Sequence, residues 1–317
     1  MGGGARSVPG MTVIVREFRP EDAPGVTRVR RACAPYIVTT PASVLFDVVA
    51  SPPARRYRLL VAERDGEAVG WAGAGITHES PEPGQGHVSA GVHPDHRGRG
   101  VGGRLLAAAE EHLAAAGARA AHTWVAGRPE CRSFAERRGY LSARTMRYQL
   151  LDLAAAALPD PVAALAPGVE LRTAADFAAD PRPLFEADAE VVADEPTDVP
   201  VVLDDYADWL RDTWGDPLLD HRLSTVVLVD GEVAAFTAAH TDGATRYVSG
   251  MTGTRRAHRG RGLAALAKTD SLRRARAAGF RSAYTSNDST NAPMLAVNRR
   301  LGYRVCATEV GHVRTLG

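Results

Sequence analysis

The amino-acid sequence predicts a mixed α/β fold that occurs twice, as two domains in tandem. The tetrapeptide Arg-Gly-Arg-Gly occurs at residues 97–100 and again at residues 259–262, and the segments around the two copies match in the same order. The length agrees, because 317 residues can build two cores of about 150 residues each. The repeat is therefore a duplicated domain rather than a solenoid of short units.

The spacing of the duplication is nearly constant along the chain. The loops start at Arg97 and Arg259, 162 residues apart, and a Gly-Tyr pair ends the matched segment at Tyr140 and Tyr303, 163 residues apart. We predict two domains, at residues 12–150 and 168–317. A linker rich in Ala and Pro, residues 151–167, joins them, and residues 1–11 form a disordered N-terminal tail.

Each half shows the same order of elements. A first strand is followed by helices, and two further strands then meet at an Asp-Gly pair, Asp65-Gly66 or Asp230-Gly231, which favours a tight hairpin. A fourth strand, at 87–92 and at 246–254, precedes the Arg-Gly loop. The loop opens an amphipathic helix, and another strand, a helix and a final strand complete each half.

Composition limits the possible partners. Basic and acidic residues nearly cancel, 38 against 37, so the total charge does not indicate binding to nucleic acid or to an anionic membrane. The three cysteines are far apart and show no metal-binding spacing, which is typical of free thiols in a reducing compartment. No apolar run approaches the ~20 residues of a membrane span, and the first residues lack the apolar core of a secretory signal. We expect a cytoplasmic monomer or homodimer.

The Arg-Gly loop lies between a strand and a helix, where the first amides of the helix have no partner within it. Together with the helix dipole, these amides form an anion site. Glycines at 98, 100 and 102 let the backbone approach a phosphate, and arginines at 97, 99, 259 and 261 can donate charge-assisted hydrogen bonds. The spacing fits neither GxxxxGK[ST] nor GxGxxG, so we expect a phosphorylated ligand of another class.

Both halves resemble the GCN5-related N-acetyltransferase (GNAT) family. The fingerprint of that family, Gln/Arg-x-x-Gly-x-Gly/Ala, stands here as Arg97-Gly98-Arg99-Gly100-Val101-Gly102 and as Arg259-Gly260-Arg261-Gly262-Leu263-Ala264. Pro94 before the first loop and the trailing Gly-Tyr pairs also fit. The resemblance covers nearly all of both halves. It implies two tandem domains, each with a mixed, mostly antiparallel twisted sheet flanked by helices.

The resemblance implies that acetyl-CoA, or another acyl-CoA, places its pyrophosphate on these loops. The residues of both fingerprints and His93 are therefore candidate cofactor-binding residues. In such folds the strand before the loop parts from the next parallel strand, and pantetheine lies in the gap. The resemblance also implies that the backbone amides of Val92 and Thr254 polarise the thioester carbonyl. A fixed N–H group directed at a developing oxyanion contributes strongly to catalysis.

The two halves depart from the family pattern in different ways. Asn291 stands at the family's Asn position, whose side chain contacts pantetheine or the backbone beside it, whereas the first half has Arg128 there. The position of the family's general acid, a Tyr, holds Asn298 in the second half and Ala135 in the first. Asn can hydrogen-bond a thiolate but does not readily donate a proton. The Asn-rich ending resembles that of actinobacterial tandem members, the group of mycothiol synthase, to which the match is distant.

The halves differ in what they indicate about catalysis. Asn291 favours the second half, whereas the quality of the loop favours the first. We favour the second half, with Asn298 and Glu195 as catalytic candidates. Glu195 belongs to an acidic stretch, residues 193–200, that lies where the family binds its acceptor. Together with Asp194 and Asp198 it can attract a cationic amine or act as a base, or the stretch can be a solvated loop.

No metal site is expected. His87, His93 and His96 precede the first loop, but their spacing is not that of a metal triad on one helix face. Contact with phosphate or an ordinary surface position explains them better.

Two classes of function stay open. The first is an enzyme that transfers an acyl group from CoA to a small-molecule amine by direct attack in a ternary complex. The second is a non-catalytic protein that binds or senses acyl-CoA, which the missing Tyr in both halves favours. Transfer from aminoacyl-tRNA on a related fold is a third possibility, and the balanced charge and the intact loops argue against it. The fold does not choose the acceptor.

Overall fold

In the computed structural model, which describes residues 13–317, the first half of the chain contains six strands and four α-helices. In chain order they are β1 (Ile14–Glu17), α1 (Ala23–Cys33), α2 (Pro41–Val49), β2 (Arg58–Arg64), β3 (Glu67–Ile76), β4 (Gln85–Val92), α3 (Val101–Ala115), β5 (Ala120–Ala126), α4 (Pro129–Glu136) and β6 (Leu141–Asp152). The predicted tail, residues 1–11, lies outside the described residues.

The second half repeats this order. Its elements are β7 (Val169–Thr173), α5 (Arg182–Val192), α6 (Tyr206–Trp209), β8 (Thr225–Val229), β9 (Glu232–Thr241), β10 (Arg246–Thr254), α7 (Leu263–Ala277), β11 (Ser282–Asp288), α8 (Ala292–Leu301) and β12 (Arg304–Thr315). A π-helical turn, Leu210–Trp214, continues α6. The duplication predicted from the sequence is therefore confirmed in the elements and in their order.

The two predicted hairpins turn at their Asp-Gly pairs. Asp65 and Gly66 have φ angles of 56° and 79°, and Asp230 and Gly231 have φ angles of 51° and 86°. Two consecutive residues with positive φ are typical of a type I′ turn, whose twist matches that of the paired strands. Asp tolerates this conformation better than most residues, and Gly adopts it without strain.

All twelve strands form one sheet, in the order β1-β2-β3-β4-β5-β12-β6-β11-β10-β9-β8-β7. The pairs β4–β5 and β10–β11 are parallel and the other nine pairs are antiparallel. The last strand of each half lies in the middle of the sheet. β12, from the end of the chain, inserts between β5 and β6, and β6 borders β11 of the second half. The halves therefore exchange their final strands.

Helices cover both faces of the sheet. On the first face, α1 and α2 bury Val26 and Val44 against β2, and α5 packs with Trp209 over β8 and β9. On the second face, α3 buries Leu105 and α7 buries Leu272, and α4 and α8 pack beside them. We use the names first face and second face in this sense below.

The predicted linker is only partly a linker. Leu151 and Asp152, which the sequence assigned to it, are the last residues of β6. Leu153 and Leu158 are buried in the core that contains Leu272. The segment therefore packs on the second half, because burying leucine side chains is favourable where a flexible tether would expose them.

No helix within residues 13–317 is long and apolar enough to cross a membrane. Cys33, Cys131 and Cys306 are free thiols.

Candidate functional site

Each half contains a gap where its parallel strand pair separates. β4 and β5 pair at three positions and part after His87 and His122, while β4 continues to Val92. β10 and β11 part after Ser249 and Thr285. We call the two gaps the N-terminal fork and the C-terminal fork. They are the gaps that the family resemblance implies.

A glycine loop closes the end of each fork. The φ angles are +73° at Gly98 and +79° at Gly100, and +75° at Gly260 and +76° at Gly262. A Cβ atom at any of these four positions would meet no atom within 4 Å. The backbone conformation therefore favours glycine, and the space on the Cβ side of these positions is open. Gly100 and Gly262 cap the N-termini of α3 and α7, which makes each loop a site for an anion.

Gly102 also has a packing role. A Cβ atom there would lie 3.3 Å from the ring of Phe134 on α4, so this glycine leaves room for a neighbouring side chain, and its contact with phosphate stays a prediction. Ala264 occupies the equivalent position in the second loop.

The first arginine of each loop holds the turn. Arg97 Nε donates to the carbonyl of Val92 at 3.1 Å, and Arg259 Nε donates to the carbonyl of Thr254 at the same distance. Arg99 and Arg261 are exposed. The second arginines are thus better placed than the first to bind phosphate.

The second loop is also bonded to the acidic stretch. Asp194 accepts two hydrogen bonds of 2.8 Å from Arg256 and another from Arg259. These hydrogen bonds hold the pKa of Asp194 at about 2. The expectation that Asp194 attracts an amine does not hold, because its charge is already paired with two arginines.

Backbone alternation turns the predicted amides toward the forks. His93 donates its amide to Val69 on β3, and Arg255 donates its amide to Ala234 on β9. Successive amides of a strand point to opposite sides, so those of Val92 and Thr254 point to the fork sides of their strands. Because the His93 amide donates to Val69, it does not face the loop. The predicted contact of His93 with the cofactor is therefore limited to its side chain.

A β-bulge distinguishes the C-terminal fork. The β9–β10 register shifts between Ser249 and Thr252, immediately after the last β10–β11 pair. The corresponding β3–β4 ladder runs without a shift from Gly70 to Ile76. A bulge bends a strand and re-aims its side chains and amides, and bulges are frequent beside active sites.

Glu195 follows α5 on the first face, and its carboxyl group interacts electrostatically with Asp288 at the end of β11. Although Glu195 is exposed, neighbouring atoms desolvate the carboxyl group and raise its pKa, an effect that Arg144 opposes and Asp288 reinforces. Arg144 on β6 donates to Asp198 at 3.0 Å, to Asp288 at 3.3 Å and to the carbonyl of Pro196. A residue from the first half of the sequence therefore anchors the acidic stretch of the second.

A second polar cluster lies beside the N-terminal fork and was not found from the sequence. Tyr36, in the connection between α1 and α2, donates to one oxygen of Glu309 at 2.8 Å, and Tyr148 on β6 donates to the other at 3.0 Å. Glu309 lies on β12, so the exchanged strand supplies it. Burial raises the pKa of Glu309, and the two hydrogen bonds oppose this effect. A glutamate within a central strand was the available signal, but its partners are distant in sequence.

The structure does not support a direct role for Asn298. The side chain is fully buried, and its Oδ1 accepts from Lys268 at 2.7 Å. Its Nδ2 donates to Gln149 at 2.8 Å and to Asn287 at 2.6 Å. Both amide hydrogens are thus already donated, and Asn298 has none left for a departing sulfur. Lys268 was not singled out in the sequence.

Asn291 has a local role as well as the predicted one. It caps the N-terminus of α8, where its Oδ1 accepts from the amide of Met294 at 3.2 Å. Its contact with pantetheine stays a prediction.

The three histidines do not act together. His87 lies within β4 with its Nε2 2.9 Å from Ser89 Oγ, and burial lowers its pKa to about 4. The expectation of phosphate contact or a plain surface position is therefore wrong for His87, while His93 and His96 pack against each other beside the loop. Within the described part of the chain, no group of three or more His, Cys, Asp or Glu residues could hold a metal ion.

Comparisons with known proteins agree with this geometry. The family model described as "Acetyltransferase (GNAT) family" matches residues 27–140 and 187–303, one segment in each half. The mycothiol acetyltransferase of Nocardiopsis dassonvillei is 31% identical over 284 residues, which cover 81% of this chain and 82% of that protein. The mycothiol acetyltransferase of Kineococcus radiotolerans is 34% identical over 167 residues, which cover 51% of this chain and 48% of that protein.

Solved structures share the fold across both halves. A tandem GNAT protein from the clavulanic acid biosynthesis pathway has a TM-score of 0.72 at 21% identity and covers 96% of this chain and 99% of its own. A GCN5-related N-acetyltransferase from Sphaerobacter thermophilus has a TM-score of 0.67 at 24% identity and covers 96% of each chain.

Proposed function

This chain belongs to the acetyltransferase (GNAT) family, and on that premise we propose that it transfers an acetyl group from acetyl-CoA to the amine of a small molecule at its C-terminal fork. We choose this fork because of one observation: β10 has a bulge where it separates from β11, and β4 has none where it separates from β5. GNAT acetyltransferases use acetyl-CoA. The name of the relatives, mycothiol acetyltransferase, supports a small-molecule acceptor.

The loops fit the phosphates of acetyl-CoA. Open space in front of Gly260 and Gly262 and the N-terminus of α7 suit a pyrophosphate, and Arg261 adds a positive charge. Gly98, Gly100 and α3 form the same arrangement, so the first half can also bind the donor. Beyond the point where each parallel pair parts, the strand edges are available to an extended arm.

The C-terminal fork also carries the groups that direct transfer needs. The Thr254 amide is directed to the place where negative charge develops on the thioester oxygen. Glu195 is on the first face, where the acceptor approaches, and desolvation raises its pKa, which makes its carboxylate a better base for the amine proton. Nitrogen then attacks the thioester carbon directly, and CoA leaves as a thiolate that takes up a proton from solvent.

The experiment follows free thiol during incubation of acetyl-CoA with a panel of amines. Gly262→Val and Gly100→Val form a matched pair, because both positions have nearly the same φ and both have open space around a Cβ. We expect Gly262→Val to lower turnover at least about tenfold and Gly100→Val to leave most of it. The opposite result would move the chemistry to the N-terminal fork.

Glu195→Gln tests the base. It should lower kcat by about a hundredfold or more while acetyl-CoA binding is retained. Binding of acetyl-CoA without thiol release, with every amine tried, would support the alternative of a non-catalytic acyl-CoA sensor.

A further inference from the structure

Lys268 on α7 is a fully buried lysine. Its Nζ donates to Thr285 Oγ1 at 3.1 Å and to Asn298 Oδ1 at 2.7 Å, and it lies 5.0 Å from the centre of the Tyr303 ring. No carboxylate among residues 13–317 lies within ion-pair distance of it. Burying a cation without a counter-ion is costly, and proteins rarely do so without a functional reason.

The lysine lies at the closed end of the C-terminal fork, where β10 and β11 are still paired. Thr285 belongs to the last β10–β11 pair, and its hydroxyl donates to the carbonyl of Ser249 across that pair at 3.2 Å. The network continues from Asn298 to Asn287, two residues further along β11 where the fork is open. Hydrogen bonds therefore connect the lysine directly to the closed end of the fork and, through Asn298, to the open part.

The lysine and the candidate base lie on opposite faces. Glu195 is near Asp288, whose side chain points to the first face, whereas Thr285 and Asn287 point to the second face. Proton removal by Glu195 and charge stabilisation by Lys268 would therefore act from different sides of the bound thioester. Asn298, which is bonded to Lys268, also occupies the position of the family's general acid.

We propose that Lys268 is a positioning residue whose positive charge, held one hydrogen bond behind position 298, stabilises the thiolate that leaves at the C-terminal fork. The amine lone pair forms the new C–N bond, and the electron pair of the C–S bond goes to sulfur. The amine proton goes to the Glu195 carboxylate, and the CoA thiolate takes up a proton from solvent after release. This inference rests on the proposed function, because it needs the thioester to lie in that fork.

Burial lowers the pKa of Lys268 to about 7, and no charged side chain of the described chain contributes to that shift. The titratable side chain that faces Lys268 is Tyr303, and burial raises its pKa, so it stays neutral. The lysine is therefore charged below about pH 7 and gains charge when an anion is bound beside it.

The test compares two CoA analogues by calorimetry in the Gly100→Val background, so that the second loop is the binding site. One analogue carries a sulfonate in place of the thiol, and the other is S-methyl-CoA, which is neutral at sulfur. The protein with Lys268 should prefer the sulfonate about tenfold more than K268Q does near pH 6, because only the lysine carries a charge that attracts the anion. This extra preference should fade as pH rises from about 7 to about 8, because a tenfold preference for the anion corresponds to a rise of about one unit in the pKa of Lys268 in the complex.

K268Q keeps a hydrogen-bond donor and removes the charge, and circular dichroism checks its folding. If K268Q does not fold, the pH dependence of the preference in the protein with Lys268 is still decisive. Equal preference in both proteins, or a preference independent of pH, overturns the role of Lys268. If neither analogue binds in this background, the proposed function at this fork is overturned as well. If both bind, turnover is normal and the two proteins show the same preference, the proposed function stands and only the role of Lys268 is overturned.

Turnover supplies a second readout. K268Q should lower kcat about tenfold and change the KM for acetyl-CoA less than about twofold, because the charge acts on the thiolate and not on the bound thioester. A larger effect on KM than on kcat would indicate a structural role and contradict the inference.

Discussion

Replacing Lys268 by methionine removes a fully buried ammonium group and keeps an unbranched side chain. Burial lowers the pKa of Lys268 from 10.5 to about 7, so the unfolded chain binds this proton more tightly than the folded protein does. The resulting penalty on wild-type stability is complete below about pH 7 and fades as pH rises toward 10.5. The methionine variant has no such penalty.

The magnitude follows from the structure. A pKa lowered from 10.5 to about 7 corresponds to about 5 kcal/mol of stability at 1.36 kcal/mol per pH unit. Methionine also leaves the Asn298 carbonyl without its donor, which costs about 1–3 kcal/mol at every pH. We therefore expect the variant to be about 3 kcal/mol more stable than the wild type near pH 6, and about 2 kcal/mol less stable above about pH 10.

Urea unfolding, followed by circular dichroism at a series of pH values, measures the difference in the free energy of unfolding. Other titrating groups are common to both proteins and cancel in this difference. Leu106→Met, at the corresponding position on α3, serves as a control whose effect should not depend on pH. A difference between wild type and K268M that stays constant from about pH 6 to about pH 10 would refute the assignment of a buried, weakly basic lysine.

Three further perturbations test the exchanged strands. Arg144→Gln removes a cation that lowers the pKa of Glu195, so the acid limb of the kcat–pH profile should move to higher pH; an unchanged limb argues against Glu195 as the base. Glu309→Ala leaves the hydroxyls of Tyr36 and Tyr148 without their acceptor and should lower the free energy of urea unfolding by about 1–3 kcal/mol, with a smaller loss for Glu309→Gln. Deletion of 304–317 removes β12 and should unfold both halves, whereas deletion of 316–317 is the control that keeps β12. Circular dichroism measures the loss of structure, and a second half that stays folded would contradict the exchange.

The parts of the site that the sequence predicted correctly are local in the chain. The conformations at Gly98 and Gly100 follow from a turn between a strand and a helix, and nearby residues determine them. The same holds for the hairpin at Asp65-Gly66 and for the order of strands and helices. Such features leave a signal within a short window, because turn chemistry and helical periodicity act over a few residues.

The exchange of strands left no such signal. Residues 141–152 and 304–315 hold equivalent places in the two copies, and each has the side-chain pattern of a central strand. Either one could complete either sheet, since periodicity specifies which face is buried and not which strand is the neighbour. The contacts of Arg144 and Glu309 were therefore beyond prediction, although both residues are visible in the sequence.

The buried polar network was missed for a different reason. Residues 268–271 of α7 form a polar run, and all four side chains are buried. In an amphipathic helix such a run predicts a solvent-facing surface. Here Lys268 and Ser271 find partners on other elements, in Thr285 and in Tyr247. Only the assembled fold shows that these polar groups are satisfied, and the same contacts explain why Asn298 does not face a ligand.

The exchange also gives a physical reason why the proposed C-terminal site needs both copies of the domain. The second half borders β6 along the whole of β11, from Ser282 to Asp288. Gln149 of that strand accepts from Asn298, and Arg144 of the same strand anchors the stretch that contains Glu195. The first half thus contributes directly to the proposed site of the second, whether or not it binds a donor itself. Loss of catalytic side chains from the first half would leave this contribution intact, whereas loss of its final strand would not.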